Sequence, residues 1–502
     1  MVLPLENPSK SYWIEAAESK LRDFRSTAEL PTEVDIVIVG SGYTGATTAY
    51  WLHKYTAKGK GPSPKILMLE ARDICGGATG RNGGQLRPHA YSRYPKWCER
   101  FGPDGALALI KHEMAHLSAF KELVAEEGIA EEVCFKLGET FDAAMSDEAW
   151  KRLKGAYEAM KRDHGANGDV VRECRLIEDP AAAEEFTQMK GCIGAVIHPA
   201  GQIWPYKFIH ALLRIVLDTG KLNLQAHTPV TAVSERGADG WITVTTARGV
   251  VRTKAVVHAT NRWASHLLPE FTKVIYQNRA TLAAIKAPEG FIKHTGAQHW
   301  DDIVNNYHLQ LPPPYNTIIV GGAKQVLCHK PLSHMRSDEE DKIIDGVADF
   351  LRTWPASDIV GWEEKEPTEL ALPTKEGGNW TGTESSSIDS FPFVGSVSNR
   401  PGHFIAAGFS GHGMPRILLS SAHITPLVLA FLKLDTSPPA LVAAYPSLPE
   451  PFAVSIERIE LAQKIDAAAR LEESVKSSLE SAKKTFCNDA RSRSTASPDD
   501  TN

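Results

Sequence analysis

No stretch of this 502-residue sequence approaches the ~18 consecutive apolar residues that a membrane-spanning helix needs. Its opening, MVLPLENPSKSYW, lacks the basic-then-apolar pattern of a secretory leader. Cysteine is sparse. The seven residues, at 75, 98, 134, 174, 192, 328 and 487, are odd in number and form no C-x-x-C pair, which argues against a disulfide frame and for reduced thiols. Charge of either sign is not in excess: a net −6 provides no basic surface for nucleic acid. There is no internal repeat, and the final Asp-Asp-Thr-Asn is not a peroxisomal address. These absences predict a cytoplasmic protein with no membrane and no nucleic-acid partner. In that setting the Asn379-Trp380-Thr381 sequon is unused. What remains, 42% hydrophobic and 23% charged residues over this length, suits an enzyme of two or three domains.

The segment Val34–Gly45 reads VDIVIVGSGYTG. An apolar strand, interrupted by Asp35, runs into Gly40, Gly42 and Gly45 at G-x-G-x-x-G spacing. Gly40 permits the tight strand-to-helix turn, Gly42 lets backbone approach a pyrophosphate, and Gly45 lets the helix pack on the strand. A helix predicted over about 43–55 then aims its N-terminal N–H groups at the phosphates. The run KILMLE, 65–70, is a second strand whose terminal Glu70 is placed to accept ribose hydroxyls. An acid there repels a 2′-phosphate, so FAD or NAD fits better than NADP. The next loop, ARDICGGATGRNGGQLRP over 71–88, gathers Gly76, Gly77, Gly80, Gly83 and Gly84 around Ala78. So much small-residue backbone suits a flat or anionic ligand.

The pattern E-A-R-x-x-x-x-G-A-T-G-R-N-G-G-Q resembles the FAD-dependent D-amino-acid-oxidase-like (DAO) superfamily. It is most similar to the branch of γ-glutamylputrescine-oxidase-like and glycine-oxidase-like proteins. The resemblance implies flavin contacts at Arg72, Ala78, Thr79, Arg81, Asn82, Gly83, Gly84 and Gln85. A second block agrees with it: SIDSFPFVG over 387–395 and HFIAAGFSGHGM over 403–414. Gly408, Gly411, Gly413 and Met414 form another glycine-rich turn, before a helix expected to begin near Pro415. The family places such a turn at the flavin edge that becomes negative on reduction. Val230, and Thr260 in Ala259-Thr260-Asn261, resemble further cofactor-contacting strand ends, although either can be plain sheet core. The segment 378–389 carries no cysteine and the loop 76–85 no histidine, so the resemblance implies FAD held without a covalent bond.

The implied fold is α/β: a Rossmann-like FAD-binding domain (GR2-type) with an α+β substrate domain carrying an antiparallel sheet. The expected division is an N-terminal arm over 1–33; FAD-binding pieces over 34–95, 190–265 and 380–436; and substrate-domain pieces over 96–189 and 266–378. A helical extension over 437–487 and a disordered tail over 488–502 complete it. Composition and period predict helix throughout 101–153, and strands over 274–285, 307–311 and 317–322.

His112-Glu113-Met114-Ala115-His116 matches H-E-x-x-H, and on a helix the two histidines share a face, as in zinc sites. No third ligand follows at a recognised spacing, so we expect a surface helix and no metal.

The expected function is an FAD-dependent oxidoreductase that oxidises a C–N bond of an amine or amino acid, with O2 or another acceptor taking the electrons. The imine product then hydrolyses. The alternatives are a non-catalytic FAD-binding sensor or interaction protein, and an NAD(P)H-dependent flavin reductase or monooxygenase; the latter wants a second nucleotide turn, which the sequence does not show. Catalytic candidates are His412, Lys324 and Arg416. His412 can bias the flavin or merely bond a loop, Lys324 is a candidate oxygen-activating cation, and Arg416 can hold a substrate carboxylate or a helix salt bridge. Trp204 and Trp380 are candidate substrate-pocket walls, Trp204 equally a core residue.

Overall fold

The computed structural model describes residues 3–57, 63–302, 305–327, 337–362, 369–372, 378–435 and 437–465. Among these residues the strands form two sheets. The first, of eight strands, is built on five that run parallel. In spatial order they are His403–Ala407, Gly249–His258, Glu33–Val39, Ile66–Leu69 and Leu222–Gln225. Phe393–Ser396 pairs antiparallel at the outer edge, and Ile242–Thr246 pairs antiparallel with Gly249–His258. Central parallel strands are covered on both faces, which is why VDIVIV and KILML read as near-continuous apolar runs. The helix Tyr43–Thr56 packs against Ile417–Phe431 and Pro205–Leu217. Thr47 Oγ1 bonds Ser421 Oγ at 2.8 Å, and Trp51 Nε1 donates to the Leu418 carbonyl at 2.9 Å. The two chain ends are thus fastened into one nucleotide-binding unit.

The second sheet has nine strands. Its order is Asn379–Ser387, Ile275–Lys286, Thr317–Gly321, Asn305–Gln310, Thr295–His299, Lys136–Ala144, Gly194–Gln202 and Gln85–Leu86, with Arg175–Ile177 pairing Gly194–Gln202. It is antiparallel except where Thr295–His299 runs parallel to Lys136–Ala144. The strands predicted over 274–285, 307–311 and 317–322 are therefore present within a residue or two.

Two expectations need correction. The helix predicted through 101–153 is interrupted. A helix spans Tyr94–Glu126, kinked at Gly102 where φ is +71°, and Lys136–Ala144 is a strand before the helix Asp147–His164 resumes. The segment KLGETFDAA is rich in helix formers, but nine residues of register with Gly194–Gln202 override local preference. Gly194–Gln202 and Asn379–Ser387, placed by sequence in the FAD-binding pieces, are strands of the second sheet. The C-terminal extension is described only to residue 465. Its helix Ile456–Gln463 packs Ile459 and Ala462 onto a core with Phe393 and Ile405, so it is docked, whereas Leu471, Val475 and Leu479 lie outside the described residues.

Candidate active site

One elongated cavity of about 560 Å³ runs between the two sheets, from Glu70 and Val230 at one end to Tyr307, Lys324 and His412 at the other. At the first end Gly40 has φ +103°, and a Cβ there would lie 2.7 Å from the Ala259 carbonyl oxygen. A Cβ on Gly45 would lie 1.9 Å from the Gly40 oxygen, so the helix can follow the strand only through glycine. Gly42 lines the cavity, and its N–H has no internal acceptor among the described residues. Glu70 closes the neighbouring strand; its Oε2 accepts from Ser41 N at 2.9 Å and Ser41 Oγ at 2.7 Å. Thr260 Oγ1 is buried at the cavity wall without a partner.

Ala78, Thr79, Arg81, Asn82, Gly83, Gly84 and Gln85 all line the cavity. Thr79 Oγ1 accepts from Tyr43 N at 3.0 Å, tying the loop to the helix start. The loop arginines are already engaged. Arg72 pairs with buried Glu340 at 2.7 Å, and Arg81 donates to the carbonyls of Gly76, Ser9 and Thr381. Their side chains fasten the loop, while its backbone faces the cavity.

The second glycine turn reaches the same cavity through Gly411, His412, Gly413 and Met414. Gly408 stands just behind them, its N–H donating to Asn261 Oδ1 at 3.2 Å. The helix starts at Ile417, two residues later than expected. The N–H groups of Gly413 and Met414 have no internal acceptor among the described residues, so the turn presents two free donors. Neighbouring the polar end, Asp142 accepts from Arg87, from Tyr91 at 2.7 Å and from His299 at 2.5 Å. Burial raises the Asp142 pKa, but Arg87 and His299 hold it well below the usual carboxylate range.

The H-E-x-x-H helix is not a surface helix. His112, Glu113 and His116 are all buried, and among the described residues no group of three or more metal-ligating side chains gathers there. Glu113 instead faces the second turn. Its Oε2 accepts from His412 Nε2 at 2.9 Å and from His89 N at 2.7 Å, and its Oε1 accepts from Arg416 Nε at 2.8 Å. Burial by itself would raise the Glu113 pKa; the groups His412 and Arg416 outweigh it and hold the carboxylate well below its ordinary range. Burial lowers the pKa of His412, against the pull of Glu113. A neutral His412 therefore donates Nε2–H to the carboxylate and keeps Nδ1 as an acceptor. Its ring stacks on His89 at 3.8 Å.

The structure gathers the cofactor candidates, His412 and Lys324 about one cavity, with Gly45 and Gly408 behind its wall. It does not bring Arg416, Trp204 or Trp380 to that wall. Arg416 is buried against Glu113. Trp204 packs among Trp13, Tyr12 and Tyr315, and Trp380 donates Nε1–H to the Arg81 carbonyl at 2.9 Å, so both are core. Sequence reasoning missed Glu113 as a counter-ion, Asp142 and Glu384. The H-E-x-x-H match did single out Glu113, for the wrong chemistry; for Glu384 the sequence carries no signal.

An adenine-to-ring ligand fits this space: a backbone cradle for phosphates, an acid for ribose, an orphaned hydroxyl and a second donor turn lie along one cavity. The fold and site define a dinucleotide-dependent oxidoreductase. The family profile described as FAD dependent oxidoreductase (DAO) matches residues 35–425, and the chain belongs to that family. It is 25% identical over 419 residues to gamma-glutamylputrescine oxidoreductase of Escherichia coli (strain K12), covering 81% of this chain and 85% of that protein. Among solved structures it resembles glycine oxidase from Geobacillus kaustophilus, with TM-score 0.63, 18% identity and coverage of 85% of this chain and 99% of that one. L-proline dehydrogenase from P. horikoshii gives TM-score 0.61 and 21% identity, covering 80% and 94% respectively. The expected fold and FAD dependence are thereby borne out. No helix among the described residues is long and apolar enough to cross a membrane.

Proposed function

We propose that this protein binds FAD without a covalent bond and oxidises the C–N bond of an amine or amino acid, releasing an imine that water hydrolyses. The observation that carries this reading is the continuity of one cavity, which joins the phosphate-type turn at Gly40–Gly45 to a chamber bounded by Tyr307, Lys324, Glu384 and His412. Bound there, FAD supplies a two-electron acceptor; the protein supplies orientation and electrostatics.

The Gly42 backbone and the N-terminus of Tyr43–Thr56 hold the diphosphate, Glu70 the ribose, and Val230 and Thr260 the neighbouring wall. The N–H groups of Gly413 and Met414, with the N-terminus of Ile417–Phe431, stabilise negative charge at the chamber end. Amine oxidation needs the reacting nitrogen uncharged. His412, anchored through Nε2 to Glu113, offers Nδ1 as the acceptor for that nitrogen's proton. Lys324 remains the candidate cation for an oxygen acceptor, whereas Arg416, spent on Glu113, holds His412 and not a substrate carboxylate. The likeness to a γ-glutamylputrescine oxidoreductase supports an amine substrate.

The test is anaerobic mixing of the yellow protein with a panel of primary amines, secondary amines and amino acids. Loss of the flavin absorbance with one of them is the expected result. Retained FAD with no bleaching by any of them overturns the reading in favour of a non-catalytic flavoprotein, and bleaching by NADH alone in favour of a reductase.

A further inference from the structure

The chamber holds one carboxyl group that the fold leaves without an ion-pair partner among the described residues. Asn379–Ser387 is buried at every residue except Glu384, whose side chain lines the cavity. A Cβ added to Gly411 would lie 2.8 Å from Glu384 Oε2, so the carboxylate abuts the second glycine turn. Among the described residues it accepts no hydrogen bond and makes no ion pair. Burial raises its pKa, and Lys324, near enough to oppose that shift, stands outside pairing distance. Tyr307 is pushed up by burial and by the same carboxylate.

The cavity's guanidinium groups are in the opposite condition. Arg87 is held by Asp142, Arg93 and Arg152 by Asp302, and Arg72 by Glu340; Arg81 is spent on peptide carbonyls. Each guanidinium therefore has an acid or peptide carbonyls of its own, which leaves Lys324 as the lining cation without an ion pair among the described residues, and a carboxylate brought against Glu384 would meet a second buried acid. Burying an ion without a partner is costly, and a hydrogen-bonded counter-ion removes that cost. The chamber is therefore complementary to a cation.

Resting on the proposed amine oxidation, we infer that Glu384 seats a second, non-reacting ammonium group, and that the substrates are diamines or polyamines, not α-amino acids. The nitrogen on Glu384 is the non-reacting one because an ion pair with a carboxylate keeps an amine protonated, while the oxidised nitrogen must be neutral. Lys324 opposes the rise that burial imposes on the Glu384 pKa, and an ammonium seated on the carboxyl would oppose it further.

The test is calorimetric titration of the FAD-loaded protein with putrescine, n-butylamine and γ-aminobutyrate, which share a four-carbon chain and differ at one end. The parent is expected to bind putrescine about tenfold to a hundredfold more tightly than either of the others, the range for one charge-assisted hydrogen bond. Glu384→Gln is expected to abolish that preference with unchanged flavin content, and Glu384→Asp to retain part of it. Equal binding of γ-aminobutyrate and putrescine by the parent, no putrescine binding, or an undiminished preference in Glu384→Gln overturns the inference. The two readings fail separately: putrescine that binds selectively yet bleaches no flavin defeats the oxidation and leaves the cation seat, and bleaching by amines without this preference does the reverse.

Discussion

Glu113 and Arg416, 303 positions apart in sequence, meet as a buried ion pair at 2.8 Å behind the cavity wall, with His412 sharing the same carboxylate. The pair joins the long helix Tyr94–Glu126 to the start of the helix Ile417–Phe431. It also fixes which nitrogen of His412 carries the proton, because an ionised carboxylate only accepts.

Removing that charge should be costly. Glu113→Gln keeps the shape but strands the Arg416 guanidinium, and loss of one partner from a buried pair typically costs about 3–5 kcal/mol. A denaturant titration should show the corresponding drop in midpoint, and an unchanged midpoint would remove the pair from the account of stability. The acid side follows from the direction of the shifts. Glu113, held below its ordinary 4.5, contributes stability that is complete above that pH and lost as pH falls toward its folded value. Buried histidines act in the same sense. Burial lowers His116 to about 4 and His308 to about 3, so the unfolded chain takes up their protons first and stability declines as pH drops below 6.5. Thermal midpoints of the parent should therefore fall from pH 7 to pH 4, with Glu113→Gln showing the shallower fall below pH 4.5.

Gly42→Val tests the phosphate turn. A Cβ at this position already lies 3.2 Å from Thr79 Oγ1, and the two further methyl groups would project from the turn where a diphosphate must lie. The expected outcome is purified protein with native far-ultraviolet dichroism and little yellow colour. Full flavin occupancy would place the diphosphate elsewhere.

The mode of attachment is checked by acid precipitation. With no cysteine in 378–389 and no histidine in 76–85, all flavin should appear in the supernatant. Fluorescent flavin that migrates with the polypeptide in denaturing electrophoresis would show a tether.

His412→Ala should keep FAD, since the cradle and the loop are untouched, but slow anaerobic bleaching by a reactive amine on the order of a hundredfold, the low end for loss of a positioned proton acceptor. Rapid-mixing spectrophotometry measures it, and the deficit should shrink as pH rises and the free amine becomes abundant in solution. A deficit of the same size at every pH would assign His412 to packing against His89.

The nucleotide-binding half was legible in the sequence because its requirements are local. A positive φ at Gly40, a missing side chain at Gly42, a contact at Gly45 that only glycine allows and an acid at the next strand end are properties of a few adjacent residues. The second glycine turn was legible for the same reason, and its likeness to a family tied it to the first. The chamber was not. Lys136–Ala144 carries helix-forming residues and became a strand through its pairing with Gly194–Gln202, which no local pattern announces. Trp204 and Trp380 looked like pocket walls, since sequence cannot say which side of a sheet or loop a large ring will fill. His112, Glu113 and His116 carried the spacing of a zinc site, and burial against Arg416 and His412 made their helix a structural support. Glu384 is one acid beside a serine run until Gly411 and the absence of a bonded partner among the described residues single it out. The sequence by itself determined the cofactor and the fold, through backbone geometry that neighbouring residues dictate. Only the tertiary structure decided which charges are paired and which face the substrate, because that depends on distances between residues hundreds of positions apart.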